Sequence, residues 1–163
     1  PSGNSEATLR GTGFAETVAA ECPNVTILAE QPGDWNKDDS QIAASEMLTA
    51  VGIENVQGLY AADDTMVAGG IAALEARGVD VESFYITSIG NTFLGNPLVK
   101  DGLLDGTVFQ SSSWDGENAV VGIYRAITGD TQLGRDDDAS VLYMPNPKVT
   151  IDNADSPEVA PEW

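Results

Sequence analysis

Apolar residues just before the middle of the chain change their spacing at one point, and this gives the clearest structural signal in the sequence. Residues 56–62 form a short, mostly apolar run, which is typical of a buried strand. Two acidic residues, Asp63 and Asp64, end the run. From residue 65 onward, apolar side chains recur at helical spacing until Gly78, which predicts a helix with one buried face. The pattern therefore predicts a strand, a tight acidic turn and a helix.

The same alternation of strand and helix extends over most of the chain. The last dozen residues are rich in Asp, Glu and Pro, which predicts a poorly ordered tail. Alternating strands and helices indicate a parallel sheet with helices on both faces and right-handed crossovers. The sequence therefore predicts an α/β fold with a doubly wound, three-layer α/β/α architecture. Helices are predicted at 5–21, with Ser5 as the N-cap, from Asp38 or Asp39 to 51, at 65–78 and at 115–128, with a brief helical turn at 96–100. Strands are predicted at 25–29, 56–62, 84–89, 107–110, 141–144 and 149–151.

Composition and charge narrow the classes of function. The 163 residues are enough for one domain with its own core, and no apolar run approaches the roughly 20 residues that a membrane-spanning helix needs. Acidic residues number 26 against 7 basic ones, so the formal net charge is -19. Nucleic acid and anionic membrane surfaces are disfavoured as partners, since both attract basic proteins. A solubilising surface explains such a charge.

Two amino-acid counts exclude much common enzyme chemistry. The chain contains no histidine, which rules out a Ser-His-Asp triad and a His-ligated zinc site. Cys22 is the only cysteine, so neither an intrachain disulfide nor a cysteine-rich metal site can form. The acidic run 136–138 lacks the spacing of an EF-hand, and a solvated loop is the favoured interpretation. No cofactor and no metal are therefore predicted.

Polar residues follow the predicted parallel strands, whose carboxyl ends lie along one edge of the sheet, where ligands bind in open α/β folds. Carboxylates and amides can bond pairs of sugar hydroxyls, and a flat aromatic ring can cover the apolar face of a sugar. Arg10 adds a guanidinium with fixed donors. Together these residues predict a small-molecule site, for a sugar. The residues at this edge are Asp34, Trp35, Asp63, Asp64, Gly90, Asn91 and Gln110.

Each of these residues also has a purely structural interpretation. Asp63 or Asp64 could do no more than cap the following helix, and Trp35 could cover the core. Asn91 could be a turn residue, and Arg10, near the start of a helix, could be solvated. The binding interpretation therefore depends on the set and not on any one residue.

Four motifs follow one another at a spacing that matches a known family. They are RGTGF at 10–14, GDW at 33–35, LYAADDTMVAGGIAAL at 59–74 and VKDGLLDGTVFQ at 99–110. In this order they resemble the carboxyl-terminal lobe of the type I periplasmic sugar-binding proteins and their relatives, the LacI-type regulators. The resemblance covers about residues 5–130. It implies two Rossmann-like lobes that close on a sugar, and a protein that delivers this sugar to an ABC transporter.

The resemblance also implies roles for individual residues. Arg10 is similar to an arginine that bonds sugar oxygens, Trp35 to an aromatic residue that stacks on the sugar ring, and Gln110 to a glutamine before the hinge. The family has a ligand aspartate after its fourth strand, where this chain has Gly90 and Asn91, so Asn91 is the expected substitute. The implied ligand-binding set is Arg10, Trp35, Asp63, Asn91 and Gln110, and the implied turn residues are Asp64 and Gly90.

By the same resemblance, residues 1–112 form the sugar-binding lobe, 113–140 a helix and an acidic linker of the other lobe and hinge, and 141–163 the hinge return, the last strand and a poorly ordered tail. The amino-terminal lobe is expected to be missing from this chain. The apolar face of helix 115–128 would then lack its partner, so we expect it to be displaced, buried in a dimer or domain-swapped. The other implied partners are a monosaccharide and an ABC transporter permease, with export to the periplasm or the outer face of the cell membrane.

The leading hypothesis is a binding protein and not an enzyme: the sugar-binding lobe of an exported solute-binding protein. The effector-binding core of a LacI-type regulator is the first alternative, which the upstream sequence would decide, and the strong acidity favours the exported receptor. A glycosidase that uses paired carboxylates, such as Asp34 and Asp63, is the second, and nothing in the sequence indicates the raised pKa that it requires. The identity of the sugar stays open.

Overall fold

Four strands form one sheet in the computed structural model, which describes residues 4–129 and 144–163. The strands are β1 (Gly58–Tyr60), β2 (Tyr85–Gly90), β3 (Gly106–Phe109) and β4 (Lys148–Val149). Neighbouring strands follow one another in chain order, and β2 pairs in parallel with both β1 and β3. The last strand, β4, pairs antiparallel with β3, so the sheet is mixed and not purely parallel.

The described residues contain the α-helices α1 (Ser5–Glu21), α2 (Lys37–Val51), α3 (Asp64–Glu75), α4 (Gly95–Lys100) and α5 (Ser112–Thr128). The predicted N-caps of the first two helices are wrong, because asparagine supplies the cap in both. The side chain of Asn4 accepts a hydrogen bond from the first turn of α1 at 3.0 Å, and Asn36 accepts two from the first turn of α2 at 2.8 and 3.1 Å. Ser5, Asp38 and Asp39 therefore lie inside the helices.

Apolar side chains of α2, α3, α4 and the sheet form the core. Burial alternates along β2, where Ile86 is buried and Tyr85 is exposed, as expected for a strand with one face on the core. Full burial of such a side chain contributes about 1.5–3 kcal/mol. The α/β fold class, with helices layered on a central sheet, is confirmed. The largest fully buried apolar side chains are Leu74, Ile86, Leu104, Val67, Val99 and Val149.

Residues 25–29 were expected to form a buried strand, but they pair with no strand of the described sheet, and this prediction is wrong. Val25, Ile27 and Leu28 expose 54%, 42% and 47% of their surface. Backbone hydrogen bonds to a neighbour stabilise a strand, and among the described strands β1 at the sheet edge pairs with β2 alone. The β-branched composition of the segment indicates β-propensity, but propensity supplies no neighbouring strand.

The structure also corrects the expectation of a poorly ordered tail, because residues 150–163 pack against α4 and the loop between β2 and α4. Ala154 and Val159 are buried. Their carbonyl oxygens accept hydrogen bonds from Asn96 Nδ2 at 3.0 Å and from Asn91 Nδ2 at 2.5 Å. Buried amide groups need partners, and the tail supplies them. The acidic, proline-containing composition of the tail does not predict these contacts, because only a few individual residues make them.

The apolar face of α5 is exposed in the described structure. Val120, Ile123, Tyr124 and Ile127 each expose more than half of their surface. Displacement, dimer formation and domain swapping of this helix therefore stay predictions. The acidic run 136–138 and the predicted strand 141–144, apart from its last residue, lie outside the described residues. Of the helices that the structure describes, none combines the length and apolarity needed to cross a membrane.

Candidate functional site

A cavity of about 320 Å³ opens at the carboxyl ends of β1 and β3. Side chains converge on it from α1, the loop before α2, the start of α3, the start of α5 and the tail. Four of them belong to the ligand-binding set predicted from the sequence: Arg10, Trp35, Asp63 and Gln110. The full lining is Glu6, Arg10, Trp35, Asp63, Gln110, Ser112, Asp115 and Trp163.

A second depression, of about 570 Å³, lies on the outer face of α2. It is larger, but a ligand site needs polar groups that converge from several elements. Its lining residues all belong to this one helix, so the cavity at the strand ends is the candidate site. The six residues are Gln41, Ile42, Ser45, Glu46, Thr49 and Ala50.

Arg10 is the central cation of the cavity. Its Nη1 donates to Ala62 O at 2.6 Å, and its Nη2 donates to Gln110 Oε1 at 2.9 Å and pairs with Glu6. The guanidinium carbon lies 5.6 Å from the centre of the Trp35 ring, which is within cation–π range. Contacts with three different elements thus fix the direction in which the remaining guanidinium donors point.

Trp35 reaches the cavity from a tight turn. Asn36 N donates to Gly33 O at 3.0 Å, and the two central residues, Asp34 and Trp35, have positive φ angles of 49° and 57°. Two successive positive φ angles are typical of a type I′ turn and are uncommon for residues other than glycine. A Cβ at Gly33 would lie 2.3 Å from Ser40 Oγ, so the turn sits directly on α2. Such local strain clusters at ligand sites.

Asp63 both caps α3 and lines the cavity, so the capping and the ligand interpretations are compatible. Its Oδ1 accepts from Met66 N at 2.6 Å. Burial raises the pKa of Asp63 above its usual value, and the hydrogen bond from Met66 opposes part of this rise. The neighbouring Asp64 raises the pKa further, while Arg10 lowers it. A half-buried carboxylate beside a guanidinium can accept hydrogen bonds from ligand hydroxyls.

Tyr60 connects α1 to the sheet, which the sequence did not indicate. Its ring stacks on Phe14 with centroids 4.2 Å apart and an interplanar angle of 4°. Its hydroxyl donates to Arg10 O at 3.4 Å. Burial raises the pKa of Tyr60, and the charge of Arg10 opposes this rise. The tyrosine therefore helps to hold the backbone of Arg10 at the cavity.

Asp64 lies in the interior and not in the cavity. It is 1% exposed, and its carboxylate accepts from Ser88 Oγ, from Thr107 Oγ1 at 3.1 Å and from Thr92 N at 2.7 Å. These bonds connect the start of α3 to β2, β3 and the loop after β2. The nearest carboxylate oxygen would lie 2.1 Å from a Cβ at Gly95, so α4 starts directly against this side chain.

The structure does not bring Asn91 to the cavity, which corrects the expectation that it substitutes for a ligand aspartate. Asn91 is fully buried, with a positive φ of 52°. Its Nδ2 donates to Val159 O at 2.5 Å, and its Oδ1 accepts from Asn96 Nδ2 at 3.1 Å. The adjacent Gly90 has a φ of 140° and accepts at its carbonyl from Gln110 N at 3.1 Å. Both amide atoms of Asn91 are thus engaged by protein groups.

Sequence reasoning missed four of the lining residues. Glu6 is the one with a local signal, because it stands four residues before Arg10 on the same helix, the spacing of an intrahelical ion pair. Ser112 and Asp115 lie in the first turn of α5, and Trp163 comes from the tail. No local pattern marks these three, since only the packing of the chain brings them to the cavity.

Metal binding has no support in the part of the chain that the structure describes. Residues 4–129 and 144–163 contain no group of three or more Cys, Asp or Glu side chains close enough to hold a metal ion. The acidic run 136–138 is outside these ranges. The side chains that line the cavity offer hydrogen bonding and aromatic contact.

The fold and the cavity together define a class of protein: an α/β lobe with a polar, aromatic-lined site at the carboxyl ends of its parallel strands. Comparison with known protein families matches residues 1–131 to the periplasmic binding protein domain. This match covers most of the chain, so the chain belongs to this family. The resemblance to the type I periplasmic sugar-binding proteins is thereby confirmed.

Individual relatives agree with this assignment. The ribose import binding protein RbsB of Salmonella typhimurium is 35% identical over 119 residues, which make up 72% of this chain and 38% of the relative. The arabinose binding protein AraP of Geobacillus stearothermophilus has a TM-score of 0.74 at 24% identity, over 94% of this chain and 53% of its own. A periplasmic solute binding protein of an ABC transporter from Actinobacillus succinogenes, with bound D-allose, has a TM-score of 0.75 at 24% identity, over 88% of this chain and 48% of its own. At such identities the solved structures show the fold alone.

The chain spans less than half the length of the ribose import binding protein that it matches, 38%. It covers about half of the two solved structures, 53% and 48%. The single α/β lobe described above corresponds to this share of the longer proteins.

Proposed function

We propose that this chain provides the sugar-binding lobe of an exported solute-binding protein that serves an ABC transporter. The observation that carries the proposal is the convergence of Arg10, Trp35, Asp63 and Gln110 on one cavity. The names of the relatives, which include ribose import and arabinose binding proteins, support a sugar as the ligand class. The ligand is a monosaccharide, and the protein acts by binding and not by catalysis.

Each side chain has a distinct part in holding the sugar. Arg10 donates hydrogen bonds to sugar oxygens through its remaining donors, since three protein acceptors already fix its orientation. Asp63 accepts hydrogen bonds from hydroxyls, and the amide of Gln110 adds a further polar contact. Trp35 covers the apolar face of the ring. A cavity of about 320 Å³ has room for one sugar ring and little more.

The cavity forms half of the binding site in this proposal. A second lobe closes over the sugar, excludes water and so strengthens the hydrogen bonds made by the first lobe. The exposed apolar face of α5, formed by Val120, Ile123, Tyr124 and Ile127, packs on that second lobe. The chain without this lobe should bind sugar weakly and should associate through α5.

Titration calorimetry on the intact two-lobe protein, with a panel of pentoses, hexoses and polyols, tests the function. At least one sugar should bind. Arg10→Ala should weaken its binding about 100-fold, because charge-assisted hydrogen bonds are lost. Arg77→Ala is the matched control, since Arg77 bonds Ser45 O and Thr49 Oγ1 on the α2 side of the lobe. Silence across the whole panel, or an equal loss in both variants, would overturn the proposal.

The effector-binding core of a LacI-type regulator would use the same cavity. The formal net charge of -19 works against close approach to DNA, so the exported receptor is preferred. The sequence upstream of this chain distinguishes the two, because a helix-turn-helix there would indicate the regulator. For the glycosidase hypothesis, burial does raise the pKa of Asp63, but its partner acid Asp34 does not line the cavity, so the pair that this hypothesis requires is not assembled there.

A further inference from the structure

We propose that Trp163 is a specificity-determining residue of the cavity, whose indole forms a second aromatic wall beside Trp35 and favours cyclic monosaccharides over acyclic polyols. The inference rests on the proposed function and deepens it. Trp163 lies beyond residues 1–131, the part that matches the family, so the family assignment gives it no role. The case for it comes from the contacts of the tail.

Trp163 is held at the cavity by two hydrogen bonds that use different parts of the residue. The indole Nε1 donates to Gln110 O at 3.1 Å, which fixes the ring at the end of β3. The carbonyl oxygen accepts from Phe93 N at 2.6 Å, which fixes the backbone at the loop after β2. The side chain of Gln110 in turn accepts from Arg10 at 2.9 Å. Gln110 thus connects Trp163 to Arg10, the cation of the site.

The preceding residue, Glu162, attaches the tail to α5. Its carboxylate accepts from Ser113 N at 2.8 Å, from Ser113 Oγ at 2.9 Å and from Ser111 Oγ at 2.9 Å. The hydrogen bonds from these serines lower the pKa of Glu162. The anion also stands at the positive end of the helix dipole, which favours its charge. These hydrogen bonds of Glu162 lie beside Ser112, which lines the cavity, so they hold the adjacent Trp163 at the rim of the cavity.

The shape of this rim explains the expected selectivity. Trp163 lines the cavity while exposing 48% of its surface, so the residue is accessible to a ligand there. A cyclic sugar carries C–H groups on a preformed face that packs on aromatic rings, whereas an acyclic polyol has no such face. With Trp35 in the same cavity, the sugar ring contacts aromatic surface from two separate elements.

The test is titration calorimetry on the intact two-lobe protein, with the tightest-binding cyclic monosaccharide of the panel and the alditol of the same carbon skeleton. Trp163→Ala should weaken binding of the cyclic sugar about tenfold, and binding of the alditol less than about threefold. Trp163→Phe keeps a flat face and should stay within about threefold for both ligands. Tyr85→Ala is the matched control, because Tyr85 is an exposed aromatic residue at the start of β2, whereas the cavity lies at the carboxyl ends of the strands.

Each result decides the question. Unchanged affinity of Trp163→Ala for the cyclic sugar overturns the inference and leaves the proposed function standing. An equal loss for both ligands also overturns it, because a merely structural role would produce that result. If Trp163→Ala fails to fold, Trp163→Leu gives the same comparison, since leucine is apolar without a flat face. If the unaltered protein binds no sugar at all, the proposed function fails, and the inference fails with it.

Discussion

Asp63 and Asp64 are neighbours in the chain, yet they belong to two different regions of the molecule. Asp64 lies in a buried polar network with Ser88, Thr92 and Thr107, where protein donors engage both of its carboxylate oxygens. Asp63 lies at the mouth of the cavity, half-buried, and its carboxylate faces a space that a ligand can enter. One residue of separation at the start of α3 turns the two side chains in different directions.

The comparison shows how the same side chain serves two purposes. A carboxylate whose acceptors are all satisfied by protein stabilises the fold and has nothing to offer a ligand. A carboxylate that only partly caps a helix keeps accepting capacity for a ligand, but burial then raises its pKa. Substitutions at Asp64 should therefore change stability, and substitutions at Asp63 should change sugar binding.

The largest expected effect is on stability at Asp64. In Asp64→Asn one acceptor oxygen becomes an NH2 group, which cannot accept from Thr92 N or Ser88 Oγ, so the variant should lose about 3 kcal/mol of unfolding free energy. Equilibrium urea unfolding measures this loss. Asp63→Asn is the matched control, because asparagine is also a good N-cap and stability should change little. Equal losses in the two variants would remove the distinction between the two regions.

Gly95 tests how tightly the interior network is packed. A Cβ at this position would lie 2.1 Å from one carboxylate oxygen of Asp64, whose position is fixed by its hydrogen bonds. Gly95→Ala should therefore cost about 2 kcal/mol in urea unfolding. Gly116→Ala is the control, because a Cβ there meets nothing within 4 Å and alanine is the better helix former. A Gly95→Ala variant as stable as the unaltered protein would contradict the packing around Asp64.

Asn91 tests whether a residue that the sequence assigned to the binding site belongs to the buried interior instead. Asn91→Ala leaves Val159 O without its donor and removes one of the two acceptors of Asn96 Nδ2, so it should cost about 1.5 kcal/mol of stability. Sugar affinity should stay within about threefold, because the side chain does not line the cavity. The measurements are urea unfolding and calorimetry. A large loss of affinity with unchanged stability would return Asn91 to the binding site.

The smallest expected effect is on binding at Asp63, and it depends on pH. Burial raises the pKa of Asp63 above 3.8, so the carboxylate is protonated at a higher pH than an ordinary aspartate. A raised pKa stabilises the folded protein below 3.8, and this contribution is lost as the pH rises through the raised value. Binding has the opposite dependence, because the ionised form is the better acceptor. Affinity should fall as the pH drops through that raised pKa.

Asp63→Asn should weaken binding about tenfold at pH 7 and should remove the loss of affinity at acid pH. Calorimetry of the unaltered protein and the variant at pH 7 and at pH 4 makes the comparison. If the variant keeps the same acidic loss, another group controls the pH dependence, and the ligand-facing role of Asp63 is wrong.

Local patterns were sufficient for elements whose signals lie within one stretch of chain. The change of period around residue 63 predicted β1 and α3, and the helix predicted at 5–21 has those bounds in the structure. The strand predicted at 25–29 was wrong, because a strand needs a neighbour and composition cannot supply one. The prediction of a poorly ordered tail was also wrong, because the contacts of Val159 and Trp163 are made with residues far away in the sequence.

The sequence by itself determined the α/β class, the acidic turn at Asp63 and Asp64, and the family, because these depend on periodicity and on ordered motifs. Only the tertiary structure decided which of two adjacent carboxylates faces the cavity, since Asp63 is the extended N-cap and Asp64 is the first residue of α3, so their side chains point in different directions. It also removed Asn91 from the lining and added Trp163. Both changes have the same cause: the tail folds back over the strand ends, covering one side chain and contributing another.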